Sequence, residues 1–193
     1  MAPGKQSITG YQAVNLALLF EGGLVGIALG LGWLLDTPAF AQFQLHWTGA
    51  IQGVLATLPL LLVVLLCSAL LDYPPVKDLF RFSREHITRL FSGASLLDLA
   101  LVAGVAGLGE EALFRGVIQT VLATHLSPLV GVLIAAVLFG LVHSLSPAYA
   151  ISATLIGIYL GCLLLSFDNL LVPIITHGLY DFIVLAVLLK RRG

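Results

Sequence analysis

Glu110-Glu111-Ala112-Leu113-Phe114-Arg115 is the stretch whose reading decides the fold, because it sets two acids and a base inside an otherwise apolar run. The 193 residues around it are 59% hydrophobic and only 10% charged, with a mean hydropathy of +1.06. A soluble domain carries about 25% charged residues. The composition therefore implies a polytopic helical membrane protein, and ionisable side chains are costly enough in hydrocarbon to mark a site where they occur. Two more such places follow, Phe139-x-x-x-His143 and His177-x-x-x-Asp181.

A spanning helix needs roughly 20 mostly apolar residues, and the chain divides into about six: 12–35, 49–71, 95–124, 128–145, 148–166 and 169–189. Asp36-Thr37-Pro38, Asp72-Tyr73-Pro74-Pro75, Ser127-Pro128, Ser146-Pro147 and Asp168-Asn169 punctuate them. The expected fold is all-α, a single transmembrane domain over 1–193 in which short junctions make neighbouring spans antiparallel. Lys5 precedes span one, Lys77, Arg81, Arg84 and Arg89 separate spans two and three, and Lys190, Arg191 and Arg192 follow span six. With six spans all these residues fall on one side, and the positive-inside rule puts both termini in the cytoplasm, or in the stroma of an organelle. The segment 76–91 mixes Val76, Leu79, Phe80, Ile87, Leu90 and Phe91 with those four basic residues. It suits a helix lying along the cytoplasmic lipid surface, or a cytosolic extension of span three. Residues 12–94 thus hold the first two spans plus an amphipathic segment. The first span looks too long for a cleaved signal peptide and is expected to be retained. Cys67 and Cys162 fall in apolar runs and read as packing residues. There is no basic stripe or reading motif for nucleic acid.

Neighbouring helical residues lie about 100° apart, so Glu110 and Glu111 face different ways, whereas Glu111 and Arg115 at i and i+4 share a face. The expected division is a structural ion pair of Glu111 with Arg115 and a separate Glu110 facing a cavity. A carboxylate held where water stabilises it poorly is a better base near neutral pH. Phe139 lies one helical turn before His143 and would shield it. His177 and Asp181 again share a face, so that the acid accepts a hydrogen bond from one ring nitrogen and leaves the other for a site. Each element alone also suits helix packing; three together point to a site. Glu21, in Phe20-Glu21-Gly22-Gly23, either lines the same cavity or pairs with a polar group on another helix. At about 1.5 Å per residue, Glu110 falls near mid-membrane, His143 toward the cytoplasmic end of its span and His177 nearer the outer end. A shared site therefore requires offset or tilted spans, or a helix broken near Pro147 or Pro173.

The ordered trio resembles the CPBP intramembrane proteases, the CAAX protease and bacteriocin-processing or Abi family, which includes the CAAX prenyl endopeptidase. That family carries Glu-Glu-x-x-x-Arg, Phe-x-x-x-His and His-x-x-x-Asn/Asp in this order, and the resemblance covers roughly residues 95–189 as a catalytic core. It implies that Glu110 and His143 activate a water that attacks the scissile carbonyl, while His177 and the residue at Asp181 stabilise the oxyanion. Asparagine can donate to an oxyanion and an ionised aspartate cannot, so Asp181 must be protonated, orient His177 or bind a metal. Glu110, His143, His177 and Asp181 would make a nitrogen and oxygen ligand set for a divalent metal such as zinc, although no His-Glu-x-x-His pattern is present.

The expected function is an intramembrane glutamate-dependent endopeptidase acting on a membrane-associated protein or peptide, in a bacterial inner membrane or a plastid membrane. The alternatives are a non-proteolytic scaffold or assembly factor for a partner membrane complex, since motifs do not prove activity, and a transporter with a proton relay through Glu21, Glu110 and His177. The transporter reading lacks the internal repeat symmetry common in that class.

Overall fold

The computed structural model describes residues 10–70 and 73–190. Lys5, Arg191 and Arg192, used above for orientation, and Asp72 of the second junction lie outside the described residues. Every regular element among the described residues is helical: α1 (Gly10–Leu34), α2 (Trp47–Ser68), α3 (Pro74–Leu90), α4 (Leu96–Glu111), a π-helix (Ala112–Gln119), α5 (Thr120–His125), α6 (Pro128–Val142), α7 (Pro147–Phe167) and α8 (Leu171–Lys190). Four of them, α1, α2, α7 and α8, are long and apolar enough to cross a membrane. The fifth candidate is the continuous rod formed by α4, the π-helix and α5; the sixth is α6, with only 15 residues.

Polarity is inverted relative to a water-soluble protein. Leu19, Trp33, Leu62, Leu133 and Leu155 are exposed on the outside, while Glu111 and Arg115 are fully buried. With lipid outside, burial of leucine gains little, and helix association falls to close packing of small residues and to buried hydrogen bonds. Both devices are visible. Gly109 brings α1 against α4 so closely that a Cβ there would stand 2.4 Å from the Glu21 carbonyl oxygen. Thr176 of α8 donates to the Gly53 carbonyl of α2 at 3.0 Å, and Tyr159 of α7 donates to Ala56 of α2 at 2.8 Å.

Serine starts three of the helices. Ser95 and Asp98 form a reciprocal capping box, with Asp98 N–H donating to Ser95 Oγ at 3.1 Å and Ser95 N–H to Asp98 Oδ2 at 2.8 Å. Ser127 and Ser146 cap α6 and α7, each with proline following in the first turn. Asp168, in left-handed conformation at φ 47°, ends α7. Asn169 then clasps the Gln44 backbone from both sides, accepting from its N–H and donating to its carbonyl, both at 3.0 Å.

The segment 76–91 is not an extension of span three. It is most of a separate helix, α3, cut from α4 by a turn in which Gly93 takes φ +87°. It packs on α1, α7 and α8, with Val76, Leu79, Phe80 and Ile87 half-buried and Lys77, Arg81, Arg84 and Arg89 exposed. Neither Pro147 nor Pro173 breaks a helix. Pro147 opens α7, and Pro173 sits in the first turn of α8.

The problem of depth is solved by length. The span expected at 128–145 stops at Val142, and His143 caps it. Glu110 lies fifteen residues before His125 and His143 fifteen after Pro128, on either side of one tight turn, which puts the two side chains at one level. The rod also overshoots the turn between α7 and α8. Gln42, in the loop after α1, joins Thr120 (3.3 Å) to Asp168 (2.7 Å), so Thr120 rather than His125 is level with the start of α8. From those points Glu110 and His177 are ten and six residues down, about 15 and about 9 Å in ordinary helical rise.

The glycine contact gives a test. Gly104→Ala, where added volume meets nothing within 4 Å, should be neutral or stabilise by up to about 1 kcal/mol. Gly109→Ala should destabilise by about 1–3 kcal/mol, because a backbone oxygen of α1 cannot move without the helix. Thermal unfolding of the two variants in the same lipid checks the contrast.

Candidate active site

Glu111, the last residue of α4, and Arg115, within the π-helix, form the expected ion pair: Arg115 Nη1 donates to Glu111 Oε1 at 3.0 Å with both side chains fully buried. The guanidinium does more than pair. Its Nη2 donates to the Gly157 carbonyl of α7 at 3.0 Å, and its Cζ lies over the Phe139 ring, 4.6 Å from the ring centre. Gln119, one turn on, repeats the reach to α7 by donating to the Gly161 carbonyl at 3.1 Å. Two glycines four residues apart let the rod approach closely enough for both bonds: a Cβ on Gly161 would stand 2.6 Å from Gln119 Oε1. π-helical segments are frequent at functional sites; this one holds Arg115 beside the two glutamates.

Glu111 has a second partner that its expected pairing did not include. Its Oε1 also accepts from His177 Nδ1 at 2.8 Å. A carboxylate can only accept, so Nδ1 carries the proton and His177 turns Nε2 the other way, 3.8 Å from Glu110 Oε2 and 3.4 Å from Asp181 Oδ2. The expected pairing of Asp181 with one ring nitrogen therefore falls on the side facing Glu110, and it is Glu111 that fixes the ring from behind.

His143 shows the same arrangement. Its Nδ1 lies 2.8 Å from the Phe139 carbonyl, which can only accept, and its Nε2 faces Glu110 Oε1 at 3.5 Å. That separation is too long for a direct hydrogen bond. Phe139 is the common wall. Its ring centre lies 4.4 Å from that of His143, 5.9 Å from that of His177 and 5.2 Å from that of Phe114. The shielding role expected for Phe139 thus extends to three of the polar side chains.

Glu110, His143, His177 and Asp181 come together from α4, the end of α6 and α8. Glu110 and His177 are buried, and His143 and Asp181 are half-buried. Glu21 joins them, in electrostatic range of Glu110, His143 and His177. Tyr149 and Tyr180 stand in range of Asp181 and were not foreseen. Glu111-x-x-x-Arg115-x-x-x-Gln119 was the signal for Gln119. Five buried polar atoms lack a hydrogen-bond partner among the described residues: Glu21 Oε2, Glu110 Oε2, Glu111 Oε2, Arg115 Nε and Gln119 Oε1. All belong to this cluster.

Among the described residues no three His, Cys, Asp or Glu side chains are arranged to hold a metal ion. The side chains gathered here supply the chemistry of carboxylates and imidazoles. A pair of carboxylate and unprotonated imidazole nitrogen can accept both protons of one water, leaving its lone pairs free to attack.

Arg115 gives the site a stability test. Arg115→Met leaves Glu111 buried without its cation and should cost about 3–5 kcal/mol. The double variant Arg115→Met/Glu111→Gln should recover part of that loss, read by thermal unfolding.

Residues 92–183 match the model of the Rce1-like family, described as type II CAAX prenyl endopeptidase Rce1-like. No curated protein and no solved structure matches the chain. The matched stretch contains all three motifs and every residue of the cluster except Glu21. Residues 92–183 of this membrane protein thus match an Rce1-like domain, in keeping with the CAAX protease resemblance of the three motifs.

Proposed function

We propose that the chain is an intramembrane endopeptidase in which Glu110 is the general base, hydrolysing a peptide bond of a membrane-associated protein. The observation that carries this reading is the convergence of two imidazole Nε2 atoms on one buried carboxylate, each ring held from behind through Nδ1. The family match supports proteolysis as the reaction class.

The steps follow from the donors and acceptors present. A water between Glu110 Oε1 and His143 Nε2 donates to both, and Glu110 takes one proton as the oxygen attacks the scissile carbonyl. The tetrahedral oxyanion forms on the side of His177 and Asp181. When His177 holds a second proton, on Nε2, it donates to that oxyanion while Nδ1 still donates to Glu111. Asp181 orients the ring from the lip of the site. Collapse of the intermediate passes the proton on Glu110 to the leaving amine and returns the carboxylate to its starting state. The protein supplies positioning and electrostatics in a site from which lipid and Phe139 exclude bulk water, where such interactions are strongest.

Peptide termini across the host membrane proteome, compared among cells carrying the wild type, Glu110→Gln or a deletion, test this. Termini present with the wild type and missing from both other strains are expected. Glu110→Gln should keep the wild-type unfolding midpoint and lose about 10²–10⁴-fold in turnover. Wild-type termini in the Glu110→Gln strain would refute the proposal.

A further inference from the structure

The element that the proposed chemistry leaves without a task is α3, the basic helix at one end of the bundle. Exposed aromatic side chains fix the level of that end. Trp33 near the end of α1 and Trp47 at the start of α2 are exposed at one end of the molecule, while Tyr11 in the first turn of α1 and Tyr73 after α2 are exposed at the other. Trp and Tyr concentrate at the two boundaries between membrane and water. Tyr11 and Trp33 stand twenty-two residues apart on α1, about 33 Å of helix, which matches a hydrocarbon core of about 30 Å.

α3 starts directly after Tyr73 and ends beside the start of α1, where a Cβ on Gly10 would strike the Ser92 carbonyl oxygen. Both of its ends therefore lie at the level of the two tyrosines. Between them it packs on α7 and α8, so it runs across the end of the bundle, in the plane of the lipid headgroups.

The charges on α3 are sorted by direction. Val76, Leu79, Phe80, Ser83 and Ile87 form the half-buried face turned to the bundle. At about 100° per residue, Lys77 and Arg84 lie on one flank, about 85–105° from the centre of that face, and Asp78 and Glu85 lie about 155–175° from it, toward water. Arg81 falls between the two sets and pairs with Asp78 at 2.8 Å, both side chains being exposed. Lys77 and Arg84 have no acid as a partner among the described residues. A segment that serves only to keep positive charge in the cytoplasm has no reason to separate the two signs. A helix lying at phosphate level has one: cations beside its apolar face reach the phosphates, and acids there would be repelled.

We propose that the stripe of Lys77, Arg81 and Arg84 binds the headgroups of anionic phospholipids. α8, on which α3 rests, carries His177 and Asp181, so the stripe sets the level of the candidate site against the membrane surface.

The test uses the full chain in vesicles of phosphatidylcholine and phosphatidylglycerol at about 3:1, a composition that gives the surface a negative potential. The protein is extracted in mild detergent and weighed with its retained lipids by native mass spectrometry. The wild type should retain phosphatidylglycerol in preference to phosphatidylcholine, and the preference should fall as salt rises, because exposed charges are screened. Lys77→Gln/Arg81→Gln/Arg84→Gln should reduce the preference by about 100-fold, about fivefold for each basic side chain at an anionic surface. The deciding variant exchanges neighbours: Lys77→Asp/Asp78→Lys/Arg84→Glu/Glu85→Arg. It keeps the composition and net charge of α3, and hence its weight in the positive-inside rule, while moving two cations from the flank to the side facing water. Its preference should fall by about 25-fold or more. A wild type that retains both lipids equally would overturn the proposal, as would an exchanged variant with the wild-type preference. An exchanged variant that keeps its lipid but loses binding of a polyglutamate peptide would assign the stripe to an acidic protein instead. Unfolding midpoints in the same vesicles identify any variant that misfolds, and the wild-type preference and its salt dependence decide without it.

Discussion

A fully buried guanidinium between two helices is the constraint on which the rest of this protein depends. Arg115 cannot be left unpaired in a bilayer, and its partners determine where everything else sits: Glu111 on its own helix, the Gly157 carbonyl of α7 and the face of Phe139 on α6. Glu111 in turn holds His177 of α8. One side chain thereby ties the rod, α6, α7 and α8 together without relying on the hydrophobic effect, which lipid largely removes as a force between helices.

The same constraint prepares the chemistry. Because Glu111 satisfies Arg115 and fixes His177 through Nδ1, the adjacent Glu110 is released from any structural pairing and His177 must present Nε2 to it. His143 reaches the same state by a different route, through the backbone carbonyl of its own helix. Glu110 is therefore faced by groups that are themselves held, which is the positioning that the proposed general base requires.

The spans, the ion pair and the three motifs were legible in the sequence because apolar length and i, i+4 spacing are local signals. Glu111 with Arg115 could be paired from spacing alone. The convergence of Glu110, His143 and His177 could not, since counting residues from the ends of assumed full-length spans put them at three depths. That arithmetic failed because α6 is short and the rod overshoots the start of α8, a fact carried by Gln42, which joins Thr120 to Asp168. No periodicity in either helix reveals it. Gln119 and the two glycines of α7 were hidden for a related reason: a glycine in an apolar run looks like a propensity cost until the residue that needs its space is known. Glu21 was visible as an anomaly, but its neighbour depended on how α1 packs.

The most direct measurement follows one oxygen atom. Enzyme in excess, in lipid, is given one turnover of a Glu110-dependent peptide in water labelled with oxygen-18, and the products and the protein are weighed. With Glu110 as general base, the label appears in the new carboxyl terminus on the first turnover and the protein stays unlabelled. An unlabelled product with the label in Glu110 would mean that the carboxylate itself attacked the peptide, contradicting the account.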